Sequence, residues 1–556
     1  MQKFFLLIFS VIASLSAIAQ DTDIILQHDL YHLVDRIDIR GYTNRPVWTT
    51  VKPYGRDELT ALFDEVELGQ LSGNEKGWLG RMRLLVDDSL SGTDLQNGIA
   101  GLFYRNQRDL YHYQGDNLDL YINPTLRLAA GGERTFDPAA ARNPLPLYTN
   151  GRGMVIRGRF LKRIGFHTEL ADNQQGVSQF LYNRFLGNGL LAGENFIKTF
   201  GEENGLDYFT SRAYLTYSPW KNMRFKFGKD RAFWGNGMQS LLLSDHAADY
   251  LFLTVRTRFW KMEYLNHFTQ LIDYFPGKAD NVGTFPRKYG VFHQLSFQPN
   301  RIWSLSLFES VVYSPYLPNG RRGFELQYLN PILFFRGAEQ LIGSPDNAFI
   351  GLNAKVNLFR RLQLYGQVLI DDFNINQFQQ GRGFWQNKTG WQLGAKYIDL
   401  FDIPTLDVQI ELNQVRPFTY QHFNVGANFS HYGQSLGHAA GANLNDVRML
   451  VRFQPYPGLH LQAGYAFIQQ GLDDAEFNYG GDISRPYIDR PSDFGNTVAQ
   501  GIESRIHQLD GRISWQPWLA DVYLDLEGRY RREDLFSYAS IMAGFRVSLT
   551  PQTVRY

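Results

Sequence analysis

Apolar and polar side chains alternate over several segments of about ten residues, which is the pattern of a β-strand with two different faces. The clearest segment interleaves an apolar series, Val522, Leu524, Leu526, Gly528 and Tyr530, with a polar series, Asp521, Tyr523, Asp525, Glu527, Arg529 and Arg531. One series suits hydrocarbon and the other carries charge. Tilted strands of roughly 9 to 11 residues cross a bilayer. The pattern therefore favours a barrel built in lipid.

A soluble sheet also alternates, so a single strand does not decide between the two classes. The alternation recurs over 362–371, 508–515 and 541–549, and clusters of turn-forming residues separate the segments. Aromatic residues make up 15% of the 556 residues, with 31 Tyr and 42 Phe, while the mean hydropathy is −0.31. A polar mean hydropathy together with many aromatic residues is typical of outer-membrane barrels, which have an apolar outer band, aromatic girdles and a polar lumen.

Residues 1–19 have the order of a secretory signal peptide: Lys3, an apolar stretch from Phe4 to Ala13, and Ala17-Ile18-Ala19 before Gln20. We therefore expect export through the periplasm to the cell outer membrane. The chain has no cysteine, which excludes disulfides, thiolate metal sites and a lipid-bearing cysteine at the cleavage point. Beyond the signal we find no apolar run long enough for a membrane-spanning helix, so the sequence predicts that a closed sheet crosses the membrane.

Residues 20–92 break the strand pattern and have apolar residues at helical spacing. One set is Leu26, Leu30, Leu33 and Ile37; a second is Leu59, Leu62, Phe63 and Val66; a third is Trp78, Leu79, Met82, Leu85 and Val86. Ser72 to Glu75 has the spacing of a capping box. We expect a small helical module at the periplasmic mouth that plugs the barrel. Residues 93–556 then form an all-β transmembrane barrel of about 18 antiparallel strands.

Four stretches are too long and too polar for tight turns, at about 172–210, 273–290, 371–389 and 473–505. Outer-membrane barrels have short periplasmic turns and longer outer loops. We therefore expect these four stretches to face outward. Six of the acidic residues in the last stretch could gather around calcium. They are Asp473, Asp474, Glu476, Asp482, Asp489 and Asp493. Because they lack the order of a calcium-binding loop, we favour a solvated loop, and the sequence indicates no metal site and no cofactor.

The stretch 224–258 concentrates aromatic, glycine and hydrogen-bonding residues. Sugars need such residues, because their C–H faces pack on rings while their hydroxyl groups bond to planar polar side chains. The candidate site residues here are Trp234, Asn236, Ser244, Asp245 and His246. The alternative is structural: Trp234 would belong to an aromatic girdle, and Gly235 and Gly237 would shape a turn.

The order of these residues resembles that of the capsule-assembly outer-membrane proteins of the Wzi type. A strand leads into Trp234-Gly-Asn-Gly237 and then Ser240-Leu-Leu-Leu-Ser-Asp-His-Ala247. Two later blocks are similar to that family too, Glu325-Leu-Gln-Tyr-Leu-Asn-Pro331 and His431-Tyr-Gly-Gln-Ser-Leu-Gly-His438. The helical module before the barrel also matches, so the resemblance covers essentially the whole mature chain.

The resemblance implies an 18-stranded barrel, closed at its periplasmic end by helices, that holds capsular or exopolysaccharide at the cell surface as a lectin. It adds three candidate residues from the last block, Tyr432, Gln434 and His438. The expected partners are this surface polysaccharide and outer-membrane lipid, and we expect a monomer. The formal net charge of zero gives no electrostatic case for nucleic acid.

Two other functions fit the residues. A diffusion channel or sugar porin needs the same polar lumen, and a structural or secretion-associated barrel would bind protein through its loops. Catalysis is a weaker alternative. Ser244, Asp245 and His246 supply the residue types of a hydrolase triad, but neighbours in a strand point to opposite faces, which is a poor triad geometry. We therefore predict a binding protein and not an enzyme.

Overall fold

The computed structural model describes residues 22–90, 101, 103–105, 108–136, 144–201, 204–274, 285–317, 320–330, 346–518, 521–534 and 536–550. The predicted signal peptide lies outside these residues, as does the predicted boundary between residues 92 and 93, which stays a prediction. The strands of the barrel wall are β1 (Leu118–Thr135), β2 (Leu145–Phe160), β3 (Ile164–Gly176), β4 (Gly205–Trp220), β5 (Met223–Asp230), β6 (Tyr250–Phe259), β7 (Met262–Ile272), β8 (Arg287–Phe297), β9 (Trp303–Tyr313), β10 (Asn347–Leu358), β11 (Leu362–Asp372), β12 (Lys388–Tyr397), β13 (Leu406–Val415), β14 (Leu444–Tyr456), β15 (Leu459–Leu472), β16 (Ile502–Trp515), β17 (Val522–Glu533) and β18 (Phe536–Val547).

These 18 strands form one closed antiparallel barrel, which confirms the predicted fold class. Each strand pairs with its neighbours in the chain. The barrel closes where β18 pairs with β1, from Val547 opposite Leu126 to Tyr538 opposite Thr135. Closure leaves the wall without a free edge, which lipid could not satisfy. Short strands at Tyr111–Gln114 and Ile197–Phe200 add to β1 and β4.

The alternation in the sequence sets the two faces of the wall. On β17, the outward residues Leu524, Leu526 and Tyr530 are 40–42% exposed, while Arg531 on the inward face is 1% exposed. The same alternation holds along β11 and β16. The apolar series faces lipid and the polar series faces the lumen, as the sequence predicts.

The two ends of the barrel differ in the length of their connections. One end has tight turns, such as 161–163, 221–222 and 457–458, while the other has long segments, such as 177–204, 231–249, 416–443 and 473–501. Aromatic residues in the short turns project outward, with Trp260 79%, Phe359 87% and Phe401 81% exposed. An aromatic girdle lies at the membrane interface. We assign the end with short turns to the periplasm, because outer loops are the longer ones in such barrels.

In the part of the chain that the structure describes before the wall, the α-helices are α1 (Leu30–Arg40), α2 (Arg56–Asp64) and α3 (Gly73–Val86). Their predicted apolar faces form one core around Trp78. Leu26 packs against that core from the segment before α1, so the first helix is shorter than its apolar spacing indicates. The Ser72 and Glu75 side chains form the predicted capping box. Within the described residues, no helix has the length and apolar character needed to cross a membrane.

Buried ion pairs join the helices to the short-turn end of the wall. Arg36 on α1 is 0% exposed and contacts Asp407 at 2.6 Å, Asp399 at 2.8 Å and Glu75 of α3 at 2.6 Å. Lys355 on β10 reaches Asp38 of α1 at 2.6 Å. A buried charge is stable only when it is paired and hydrogen-bonded. These contacts therefore fix the helices across the mouth of the barrel.

We predict that Arg36→Ala lowers the free energy of unfolding by about 3–5 kcal/mol, because it removes the buried cation that Glu75, Asp399 and Asp407 share. Urea titration in detergent micelles measures the change. The control is Arg45→Ala, which removes an ion pair to Glu65 whose side chains are 51% and 41% exposed. Exposed pairs contribute about 0–1 kcal/mol. Equal, small effects of both substitutions would contradict an anchoring role for Arg36.

Candidate functional site

The connection between β5 and β6, residues 231–249, turns into the lumen instead of covering its outer mouth. Its Phe233 and Trp234 pair with Val51 and Lys52, which belong to the segment between α1 and α2. The Gly235 amide also donates to the Thr50 carbonyl at 2.7 Å. A segment that enters from the outer end and a segment that enters from the periplasmic end therefore meet inside the barrel. We call residues 231–249 the first insert.

Trp234 lies at the centre of this meeting point and is 1% exposed. Its indole contacts His267, Phe292 and Phe308 on the wall, at centroid distances of 5.9, 6.4 and 5.9 Å. Edge-to-face contacts of this kind add to the stability that apolar burial gives. The indole therefore packs in the lumen and is not part of a lipid-facing girdle.

The glycines beside Trp234 allow the first insert to approach the wall closely. A Cβ atom at Gly235 would lie 2.5 Å from the Gln367 side chain, and one at Gly237 would lie 2.4 Å from the Glu411 carboxylate. That carboxylate accepts the backbone amides of Met238 at 2.6 Å and Gln239 at 2.9 Å. The turn around Asn236 therefore packs against side chains of β11 and β13.

A second insert, residues 416–443 between β13 and β14, packs on the first. The Ser244 amide donates to the Leu436 carbonyl at 2.7 Å, and its hydroxyl donates to the Gly437 carbonyl at 2.6 Å. The Tyr420 hydroxyl donates to the Leu241 carbonyl at 3.0 Å. The two inserts share one apolar core, so together they form a plug on one side of the lumen.

His438 lies at the base of the second insert and is 0% exposed. Its Nε2 lies 2.9 Å from Asp446 on β14, and its Nδ1 accepts the Ala440 amide at 3.2 Å. Both ring nitrogens therefore have partners within the protein. His438 joins the plug to the wall.

Tyr432 and Gln434 lie at the tip of the second insert. The Gln434 amide group donates to the Glu194 carbonyl at 2.8 Å and accepts the Gly193 amide at 2.9 Å. The Tyr432 ring stacks on Tyr274 at a centroid distance of 4.7 Å. These two residues therefore connect the plug to the outer connections 177–204 and 273–286.

The side chains of Ser244 and Asp245 are hydrogen-bonded to other parts of the chain. The Ser244 hydroxyl is bonded to a backbone carbonyl, as described above, and it also accepts the His246 amide at 3.4 Å. Asp245 accepts the Gln27 side-chain amide at 2.8 Å. The three residues take part in a chain turn that faces the segment before α1.

The plug leaves a cavity of about 510 Å³ on the opposite side of the lumen. Its walls come mainly from β14–β18 and β1–β4, and its floor comes from the segment before α1. Arg127, Arg452 and Arg512 line it together with Glu527, and the plug contributes Asn236 and Asp245. The structure thus brings two of the eight predicted site residues to an open polar space, and places the other six in or beside the plug.

Two cavity residues outside the wall strands have strongly shifted pKa values. Burial raises the pKa of Glu194 to about 7. Burial also lowers the pKa of Lys52 to about 7. The charge of the cavity therefore changes near neutral pH, since both groups titrate there.

Among the described residues, no group of three or more His, Asp or Glu side chains is arranged to hold a metal ion. In the outer acidic loop, the Asp473 carboxylate instead accepts the amides of Tyr479 at 2.7 Å, Gly481 at 3.2 Å and Asp482 at 3.2 Å. Asp473 thus holds the backbone of its own loop.

Sequence reasoning missed the wall side chains that receive the plug. Gln367, Gln392 and Glu411 point inward and bond to the first insert. Their inward position follows from strand alternation, but nothing local in the sequence indicates that a distant segment bonds to them.

Comparison with known proteins supports the resemblance. The model of the family named capsule assembly protein Wzi matches residues 201–540. A comparison with curated proteins gives no match. The structure is similar to that of Wzi from Escherichia coli, an outer membrane protein involved in group 1 capsule assembly that is described as a carbohydrate-binding β-barrel. That similarity has a TM-score of 0.57 at 13% identity and covers 96% of this chain and 100% of the other.

Two porin structures are also similar. OprD from Pseudomonas aeruginosa has a TM-score of 0.43 at 11% identity, covering 80% of this chain and 97% of that one. A BenF-like porin from Pseudomonas fluorescens has a TM-score of 0.42 at 10% identity, covering 77% of this chain and 99% of that one. Identities this low concern the fold alone. The family model spans more than half of the chain, and the protein therefore belongs to the capsule assembly protein Wzi family.

Proposed function

We propose that this protein is an outer-membrane lectin that binds capsular or exopolysaccharide and helps to assemble or retain it at the cell surface. Family membership supports the proposal, as does the carbohydrate binding ascribed to the E. coli protein of the same fold. The role is one of binding without catalysis, and the protein acts as a monomer whose apolar wall faces outer-membrane lipid.

The observation that carries the proposal is the protein packed inside the lumen. The helices lie across the periplasmic mouth, and the two inserts fill one side of the barrel with an apolar core. A diffusion channel needs a continuous polar path through the lumen. A wall that surrounds packed protein instead serves as a rigid support for its outer loops, and loops on a rigid support are well suited to binding.

Long polymers suit such a surface, because many weak contacts to repeating units add up to firm attachment. Among the eight predicted residues, Asn236 and Asp245 line the cavity, and in this proposal they are the two that contact a sugar held there. Trp234, Ser244, Tyr432, Gln434 and His438 act as positioning residues that hold the plug and its outer tip. His246 follows Asp245 in the same turn and belongs with this second group.

Purified full-length protein in detergent should bind the surface polysaccharide of the source bacterium saturably. Trp234→Ala and His438→Ala should weaken this binding and also lower stability, by about 3–5 kcal/mol for the buried Trp. Trp515→Ala is the matched control, because this side chain faces lipid and is 51% exposed. Biolayer interferometry with immobilised polymer measures the affinity. Absence of binding by the unchanged protein at high polymer concentration would refute the lectin function.

In planar bilayers the full-length protein should show almost no ion conductance, because the helices and the plug obstruct the lumen. Deletion of residues 22–90 should raise the conductance, since it opens the periplasmic mouth. The deletion variant must first be shown to insert as a barrel, by its altered gel mobility before heating. Steady conductance by the full-length protein would instead support a porin.

In cells, deletion of the gene should leave the amount of polysaccharide unchanged but move it from the cell surface to the medium. Retention depends on attachment, whereas synthesis does not need this barrel. Quantifying uronic acid or total sugar in the cell and medium fractions tests this. A surface coat that stays intact in the deletion strain, with no polymer released, would count against a role in retention.

A further inference from the structure

Three outer connections meet in a row of aromatic rings that lies outside the apolar core of the plug and outside the lining of the cavity. We call it the aromatic strip. In spatial order it consists of Phe423, Tyr487, Trp385, Phe384 and Phe494. Neighbouring ring centroids are 6.4, 4.7, 6.1 and 5.4 Å apart. The rings come from connections 373–387, 416–443 and 473–501, so only the folded chain brings them together.

The strip is open to solvent. Phe423 is 43% exposed, and Ile488 beside Tyr487 is 61% exposed. The other four rings are partly exposed. Exposed apolar surface that is bordered by polar groups marks interaction sites on proteins. The position of the strip on the end opposite the helices directs it away from the periplasm.

Two guanidinium groups lie on the rings. The Arg490 Cζ is 4.0 Å from the Trp385 ring centre, and the Arg382 Cζ is 4.4 Å from the Phe494 ring centre. Arg490 also donates to the Asp493 carboxylate at 2.7 Å and to the Tyr487 carbonyl at 3.0 Å. Planar donors, a carboxylate and apolar ring surface therefore occur within one surface patch.

Backbone hydrogen bonds hold the strip in place. The Trp385 amide donates to the Asp493 carbonyl at 2.9 Å, and the Asn496 amide donates to the Gly383 carbonyl at 3.0 Å. The Gln421 side chain donates to the Asp482 carbonyl at 2.8 Å, which joins the second insert to the outermost connection. A surface that is ordered before binding loses less conformational entropy when its ligand arrives.

We infer that the aromatic strip is a binding site for consecutive pyranose units of the surface polysaccharide, an inference that rests on the proposed function. The C–H faces of the sugars pack on the rings, while Arg382, Arg490 and Asp493 bond to hydroxyl groups or to acidic substituents. A row of rings suits an extended polymer, because each ring adds one weak contact.

The test compares binding of the source bacterium's purified surface polysaccharide by four forms of the full-length protein: unchanged, Trp385→Ala, Phe423→Ala and Phe378→Ala. Phe378 is the matched control, because it lies in the same connection as Trp385 and is 57% exposed but lies outside the strip. We expect Trp385→Ala and Phe423→Ala each to weaken binding about tenfold, in line with the energy of one aromatic contact. Phe378→Ala should bind like the unchanged protein.

Each outcome has a separate meaning. If the unchanged protein binds and the two strip variants bind equally well, the strip is not the site, although the proposed function stands. If the unchanged protein does not bind, the proposed function itself fails. Equal losses in all three variants would also overturn the inference. If Trp385→Ala does not fold, Trp385→Phe together with Phe423→Ala decides: the first should keep most of the affinity, because it keeps a ring, and the second should lose it.

Discussion

Closing 18 strands into one barrel creates a lumen too wide for the wall side chains to fill. Smaller barrels of about eight strands can fill their interior with side chains, whereas barrels of 16 to 18 strands leave an aqueous channel unless further chain occupies it. Here the chain enters from both ends. The helices come from the periplasmic side and the two inserts from the outer side, and they meet where Val51 pairs with Trp234. The other features of the molecule depend on this internal contact.

Polar contacts attach the plug to the wall, because strand alternation makes the inner face of the wall polar. The Gln367 side-chain oxygen accepts the Leu241 amide at 2.8 Å, and the Gln392 side chain donates to the Gln239 carbonyl at 2.9 Å. Glu411 receives two further amides, as described above. A typical intramolecular hydrogen bond contributes about 0.5–1.5 kcal/mol. Several such bonds together attach the plug to the polar inner face of the wall.

The wall was the predictable part of the fold, because alternation is a local property of the sequence and gives both the strand and its outward face. The helices were predictable for the same reason, through apolar spacing and the capping residues Ser72 and Glu75. The location of the plug was not. Trp, Asn, Asp and His are the residue types that contact a sugar, and they are also the types that join buried loops to a polar wall. The spacing of these residues does not distinguish sugar contact from attachment of a buried loop. The burial of Trp234 and His438 in the structure does distinguish them.

The aromatic strip could not be predicted from the sequence for a different reason. Trp385, Phe423 and Tyr487 lie far apart in the chain, and each alone is an ordinary loop residue. They come together because the second insert is fixed at its base by His438 and at its tip by Gln434, so the connections that rest on it are fixed too. This arrangement separates the two tasks of the barrel. The plug fills one side of the lumen, and the same rigidity orders an outer surface that needs no opening of the lumen to bind a polymer. Substitutions on the strip should therefore leave conductance unchanged, whereas those that loosen the plug should affect both conductance and binding.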